Sequence, residues 1–314
     1  MATQVCDRGG IAVLAGGDSA EREVSLESGR MVARALRGAG HRVRLIDPAN
    51  VPLAEVPWRR YRACLLALHG GAGEDGRVQA ELERLGVPYT GSGPAACRLA
   101  MSKSASKERF WQAGVPTPDA VLAHASDPLE QLACKFTPLG FPLVIKPDGQ
   151  GSSLGVSLVR HPDELVSAVF QCQRYEPYIL AERYVAGREF TVGVIDREPL
   201  PVIEIVHDRE FFDYDAKYEL PSTRYRLDQH LPRRLTERIT AAAVAATAAL
   251  ETAGACRVDL RLDDDLQPWV LEVNTTPGMT DHSLLPMAAR AAGLSLAELC
   301  EHMIHTALAT EMAA

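Results

Sequence analysis

Three oxygen-bearing side chains near the C-terminal end, Asp259, Glu272 and Asn274, stand in two short apolar runs, RVDLRL and PWVLEVN. Residues two apart on a strand point to the same side, so Glu272 and Asn274 share a face and stand about 6 to 7 Å apart. The segment between the runs, DDDLQP from Asp263 to Pro268, reads as a hairpin loop. That makes the runs antiparallel neighbours and sets Asp259 beside the other two. Hard oxygen donors so grouped suit a divalent cation such as magnesium. A half-exposed edge strand with polar residues toward water is the plainer reading of the same pattern. Arg257, two residues before Asp259, lies on the same face, where it either pairs with Asp259 or stabilises a developing oxyanion.

A second constellation is VIKPDGQGSSLGV, Val144 to Val156. Lys146 ends a buried strand, and the glycines and serines that follow bring backbone N–H groups close to a phosphate. The order is not that of the P-loop, G-x-x-x-x-G-K-[ST], and a flexible hairpin turn reads equally well. Lys103 in MSKSASK and Lys217 in DYDAKYE are further phosphate candidates, each alone also readable as a solvated surface lysine. Glu21 follows Asp18 by three residues at the start of the first helix, which is the spacing of a capping box. The same place, at the C-terminal edge of a parallel sheet, suits a carboxylate that binds an ammonium group. His69 ends a strand at that edge. His302 and His305 lack the H-E-x-x-H order and read as structural.

The elements that must position these residues begin with an alternation of strands and helices. IAVLA, RVRLIDP and ACLLALHG read as strands of an open parallel sheet. Between the first two, Val24, Ser28, Met31, Val32, Ala35 and Leu36 mark one face of a helix that Gly38 and Gly40 end. The turn GGDSAE is not the dinucleotide fingerprint. AACRLAMSKSASKERFWQAG reads as one helix that stops before VPTP, where a second region opens with the strand FPLVIKP. A third follows from YILAERYV, with strands FTVGVID and PLPVIEIV and the alanine-rich helix TERITAAAVAATAALETAG. The expected division is 1–93, 94–182 and 183–314.

Bulk properties narrow the function classes. The chain has 314 residues and a formal net charge of −8, which argues against a broad nucleic-acid surface. No apolar run approaches the roughly 18 residues of a membrane span, and the N-terminus lacks the basic-then-apolar order of a signal peptide. Seven cysteines are scattered singly, as reduced thiols in a cytoplasm would be. A cytoplasmic protein with no nucleic-acid and no membrane partner is expected.

Taken in order, GGDSAEREVSLESG, LHGGAGEDG, YTGSGPAACRLAMSKSASK, KPDGQGSSLGVS, ERYVAGREFTV, FFDYDAKY, RVDLRL and EVNTTPGMTDHSLLPMAARAAG resemble the D-alanine:D-alanine ligases of the ATP-grasp superfamily. The resemblance runs over essentially the whole chain. It implies an α/β, three-domain ATP-grasp fold: an N-terminal open parallel sheet with helices, and central and C-terminal α+β domains enclosing ATP. It also implies ligation of two D-alanine molecules through a D-alanyl phosphate, for peptidoglycan precursor synthesis, by a homodimer. The expected cofactors are ATP and two Mg2+ ions, with Mn2+ able to substitute and a monovalent cation such as K+ in addition.

By the same resemblance, Glu21 binds the ammonium of the first D-alanine with His69 nearby. Ser152 and Tyr218 join Glu21 in a hydrogen-bonded group that closes a loop, REFFDYDAKYELPS, over the site. Lys103, Lys146, Ser153 and Lys217 meet ATP phosphates, and Glu182 and Glu189 hold adenine and ribose. Asp259, Glu272 and Asn274 are the metal ligands. Arg257 and the N–H of Gly278 steady the oxyanion, and Ser283 receives the carboxylate of the second D-alanine. Two departures from the family pattern are an extra Gly149, expected to loosen the glycine-rich loop, and Cys256 before Arg257. Tyr218 favours a dipeptide product. Open alternatives are a ligase that joins D-alanine to D-serine or D-lactate, and a nucleotide-binding regulatory protein without catalysis.

Overall fold

Strands β1 (Gly10–Leu14), β2 (Val43–Ile46) and β3 (Tyr61–Leu66) form a parallel sheet in the order β2-β1-β3. The structure is a computed structural model that describes residues 9–206, 224–227 and 231–313. Helix α1 (Arg22–Gly38) connects β1 to β2 and buries Ser25, Ser28, Gly29, Val32, Ala33 and Leu36. That face is rotated from the stripe expected through Met31 and Ala35. Small residues at Ser25, Gly29 and Ala33 let the helix sit down on the sheet: a Cβ at Gly29 would lie 2.3 Å from that of Ala15. The tighter approach outweighs the larger apolar side chains. Helix α2 (Arg77–Arg84) follows β3.

The stretch expected to be one helix is two, α3 (Pro94–Met101) and α4 (Lys103–Gln112). Ser102 breaks it by leaving helical geometry and accepting the Ala105 N–H on its hydroxyl, so it caps α4. The cap matters because it starts α4 at Lys103.

A second sheet has the order β4-β7-β5-β6 and is antiparallel throughout. Its strands are β4 (Ala120–His124), β5 (Leu143–Pro147), β6 (Ser157–Val159) and β7 (Tyr178–Arg183). Helices α5 (Leu129–Phe136) and α6 (Leu165–Cys172) cover one face through Leu132, Phe136, Leu165 and Val169.

The third sheet contains β8 (Arg188–Ile195), β9 (Glu198–Pro199), β10 (Ile203–Val206), β11 (Arg224–Arg226), β12 (Ala255–Leu262) and β13 (Pro268–Asn274). Its order is β11-β10-β8-β12-β13, with β9 paired to β8. The alanine-rich helix α7 (Arg233–Ala249) packs beneath it through Leu235, Ile239, Ala243 and Ala246. Helix α8 (Leu284–Ala291) packs on β8, and α9 (Leu296–Ala313) returns to α1 and β3. One core therefore joins Ile11, Val13 and Leu65 of the first sheet to Ile195, Leu285 and Leu299. No described helix is long and apolar enough to cross a membrane. The six described cysteines are free.

Candidate active site

The hairpin expected at the C-terminal end forms as β12 and β13, with Asp259 opposite Glu272 and Arg257 opposite Asn274. Directly opposed residues of an antiparallel pair share a face, so these four side chains are neighbours. The register shifts just after Asp259, where Leu260 pairs with Val270 and leaves Leu271 unmatched. This bulge turns both Leu271 and Glu272 into one cleft. The guanidinium of Arg257 grips Asp259 in a fork, Nε to Oδ1 at 2.9 Å and Nη2 to Oδ2 at 2.7 Å. On the other side Thr191 of β8 donates to Asp259 Oδ1 at 2.6 Å. Asn274 Oδ1 accepts the Thr276 N–H at 2.9 Å.

The cleft, of about 190 Å³, brings together side chains of the second and third sheets and α4. Lys103, Lys146, Ser153, Glu182, Glu189, Asp259 and Glu272 all line it. Lys103, at the first turn of α4, donates to the Gln150 carbonyl at 2.5 Å and faces Glu272 at 3.8 Å. Burial holds its ammonium below the ordinary lysine value, and Glu272 opposes that shift. Asp148 ties the start of α4 to the loop, accepting from Ser102 Oγ at 2.7 Å and the Ser104 N–H at 2.7 Å.

Gly149 does not loosen that loop. Its N–H donates to Glu176 Oε1 at 2.5 Å, so the additional residue is an anchor. Beyond it Ser152 and Ser153 have φ of 54° and 56°, a left-handed backbone that non-glycine residues adopt at some cost.

At the edge of the first sheet the Ser152 hydroxyl donates to Glu21 Oε1. The capping-box alternative fails, because α1 begins at Arg22 with Glu21 itself at the N-cap, and the Glu21 N–H goes to Ser19 Oγ at 3.2 Å, not to Asp18. The turn before Glu21 is braced: Asp47 accepts from the Gly17 N–H at 3.0 Å and pairs with Arg22 at 2.5 Å. Gly70 passes close beside the carboxylate with φ of 66°, and a Cβ there would lie 2.7 Å from Glu21 Oε2. Only glycine fits both conditions.

His69 is buried with both ring nitrogens in use. Nε2 lies 2.9 Å from Ser28 Oγ and Nδ1 lies 3.1 Å from the Thr276 carbonyl. A carbonyl only accepts, so Nδ1 carries the hydrogen and Nε2 accepts from Ser28. Burial lowers the imidazole below its ordinary value, against the pull of Glu21 and Thr276. Ser28 Oγ in turn accepts the Met279 N–H at 3.2 Å. His69 thus fastens the first sheet to the segment that carries Gly278. A Cβ on Gly278 would lie 2.7 Å from Ser283 Oγ, so those two residues are in contact. Ser283 Oγ also accepts the Thr280 N–H at 3.0 Å.

Lys217 and Tyr218, and the loop that contains them, lie outside the described residues. Three residues of the site were not anticipated. Arg261 continues the alternation of Arg257 and Asp259 on β12, lines the cleft and faces Glu189 at 3.9 Å. Lys107 lies one helical turn after Lys103 and is fully buried. Glu74 stands in the GGAGEDG turn, where burial, and then the negative charge of Glu21, push its carboxyl up to about 8. The signals were the strand period for Arg261 and the i, i+4 spacing for Lys107; for Glu74 only the fold supplies one.

The family model for the D-ala D-ala ligase C-terminus matches residues 110–305. A D-alanine–D-alanine ligase of Nitrosomonas europaea is 44% identical over 94% of this chain and 99% of its own. The chain belongs to the D-alanine–D-alanine ligase family. The crystal structure of a D-alanine–D-alanine ligase from Bacillus anthracis complexed with ATP superposes with a TM-score of 0.85 at 36% identity, covering 96% of this chain and 98% of the other. The VanG D-Ala:D-Ser ligase of Enterococcus faecalis aligns with a TM-score of 0.83 at 26% identity, over 96% of this chain and 99% of the other. The fold is that of the ATP-grasp ligases, with one parallel and two antiparallel sheets.

Within that family frame, the cleft can be tested for a divalent cation. Among the described residues no three His, Cys, Asp or Glu side chains gather closely enough to hold a metal. Asp259 and Glu272 are nevertheless paired oxygen donors beside two lysines. Magnesium is commonly held by one or two carboxylates plus substrate phosphates, so this pair of carboxylates fits such an ion; Asn274, on the same face of β13, does not itself line the cleft.

Proposed function

We propose that this chain joins two D-alanine molecules to D-alanyl-D-alanine with ATP, releasing ADP and phosphate. The observation that carries the reading is the convergence of Lys103, Lys146, Glu182, Glu189, Asp259 and Glu272 on one cleft, together with the Ser152–Glu21 bond at the sheet edge.

A free carboxylate is a poor electrophile. Transfer of the γ-phosphoryl group to a carboxylate oxygen of the first D-alanine makes an acyl phosphate and leaves ADP. The amine of the second D-alanine, once deprotonated, forms the C–N bond as the C–O bond to phosphate breaks. Both steps gather negative charge, which fixed donors stabilise. In this reading Glu21 receives the first ammonium, and Lys103, Lys146, Ser153 and Lys217 meet phosphates. Glu182 and Glu189 face adenine and ribose. Ser152 and Tyr218 complete the closing group with Glu21, and Arg257 and Gly278 serve the oxyanion. Ser283 receives the second carboxylate. His69 acts here by holding the first sheet against the Gly278 segment. Asp259, Glu272 and Asn274 would hold Mg2+, which when bound supplies Lewis-acid polarisation of the phosphoryl oxygens.

The reading includes a cytoplasmic homodimer with units 1–93, 94–182 and 183–314, and a product that enters peptidoglycan synthesis. Its test is an assay of ADP and phosphate release with D-alanine, Mg2+ or Mn2+, and K+ supplied or omitted in turn, with the product identified by mass spectrometry. ADP that forms only with D-alanine and a divalent cation, and a dipeptide of two alanines, are expected. Preference for D-serine or D-lactate as second substrate, or nucleotide binding without turnover, would overturn it.

A further inference from the structure

Lys107 is fully buried and does not line the cleft. Its ammonium meets Glu182 Oε2 at 2.5 Å, Thr117 Oγ1 at 2.7 Å and the Pro118 carbonyl at 3.0 Å. The other oxygen of Glu182 receives Lys146 Nζ at 2.9 Å. One carboxylate, itself buried, therefore lies between two ammonium groups, of which only Lys146 reaches the cleft. Burial pushes the Glu182 carboxyl up, yet the two lysines outweigh it and hold the group below its ordinary value.

A buried ion pair is weak evidence of stabilisation, since an apolar group of similar shape often does as well. The arrangement makes sense as a balance of charge. With Glu182 and Lys146 alone, the pair would be neutral and Lys146 would offer an anion little net attraction. With Lys107 on the far oxygen the trio carries one net positive charge, and Glu182 still aims Lys146. We propose that Lys107 is a positioning residue for the polyphosphate: it neutralises Glu182 from behind and so leaves the charge of Lys146 available in the cleft. The inference rests on the reading of this cleft as a nucleotide site.

The experiment is calorimetric titration of the full chain with ADP and with adenosine, both in the presence of Mg2+. Binding of ADP by the unaltered protein tests the nucleotide reading itself; the variants test Lys107. Lys107→Met is expected to weaken ADP on the order of tenfold and to leave adenosine within about twofold, because adenosine carries no phosphate. Lys107→Met combined with Glu182→Gln restores one net charge at Lys146, so its preference for ADP over adenosine returns toward that of the unaltered protein. Equal weakening of both ligands in Lys107→Met, no weakening of ADP, or no recovery in the double variant would overturn the proposal. Should Lys107→Met not fold, Glu182→Gln alone decides. Two uncompensated lysines must raise the preference for ADP over adenosine, and a fall sinks the idea.

Discussion

The hydroxyl of Ser152 donates to the carboxylate of Glu21 across 131 positions of sequence, joining the glycine-rich loop to the edge of the first sheet. Neither partner is placed by its own element alone. Ser152 is held in a left-handed backbone, and Glu21 sits between the Asp47 brace and the close passage of Gly70. Hydrogen bonds to a charged group are worth about 1.5 to 3 kcal/mol, or roughly 10- to 100-fold in a rate or binding constant. Ser152→Ala is expected to lower kcat/KM for D-alanine by that factor while ADP affinity stays within about twofold. Steady-state kinetics beside ADP titration checks it, and an equal loss in both would place the defect in the loop as a whole.

His69 gives a pH dependence of stability with a definite sign. Its folded value lies below the ordinary 6.5, so in the window between the two the unfolded chain binds more protons. Stability from this group is present above pH 6.5 and is lost as the pH falls through that window. The slope is up to about 1.4 kcal/mol per pH unit. Glu74, its carboxyl raised to about 8, contributes the opposite slope over the same range, so the His69 component is read as the difference between the urea-midpoint profiles of the unaltered protein and His69→Gln at pH 5, 6, 7 and 8. A variant with an unchanged profile would remove His69 as its source.

Much of this site was legible in the sequence because a period of two and a hairpin loop suffice to bring Asp259, Glu272 and Asn274 onto one face. The bulge at Leu271 was not, since it follows from how β12 twists against β13 and leaves the residue order unchanged. The break at Ser102 was visible in principle, as a serine ahead of a helical run, but the flanking alanines and lysines favour helix on both sides. The face of α1 was misplaced for the opposite reason. Apolar size points to Met31 and Ala35, whereas close packing on the sheet selects Ser25, Gly29 and Ala33. Glu74 has no marker of its own, and the spacing of Lys107 from Lys103 says nothing of its partners; what both do depends on charges brought near by distant segments.

Glu272 bears on the divalent cation. It is the less enclosed of the paired carboxylates, its side chain 32% exposed against 11% for Asp259, and among the described residues Lys103 alone pairs with it, at 3.8 Å. Glu272→Gln keeps the shape and removes the charge. The variant should need a higher Mg2+ concentration for half-maximal ADP formation, by about 10- to 100-fold, with little change in thermal midpoint. Chelation should abolish turnover in both proteins and added Mg2+ should restore it. A magnesium requirement left where it was would detach Glu272 from the cation.

Arg257 separates charge from geometry. Its guanidinium holds both oxygens of Asp259 in a fork that a lysine ammonium cannot reproduce. The pair is largely enclosed, with side-chain exposures of 15% and 11%, so an unpaired Asp259 would be poorly tolerated. Thr191 secures one oxygen of Asp259 from β8 and remains in place when Arg257 is changed. Arg257→Lys should therefore preserve the fold and the charge yet lose the fixed direction of the donor. Removal of one oriented oxyanion donor typically costs about 100- to 1,000-fold in kcat. A loss of that size in kcat, with ADP affinity and thermal midpoint nearly unchanged, is the expected outcome. If kcat held and only stability fell, the arginine would be nothing more than the partner that keeps Asp259 satisfied.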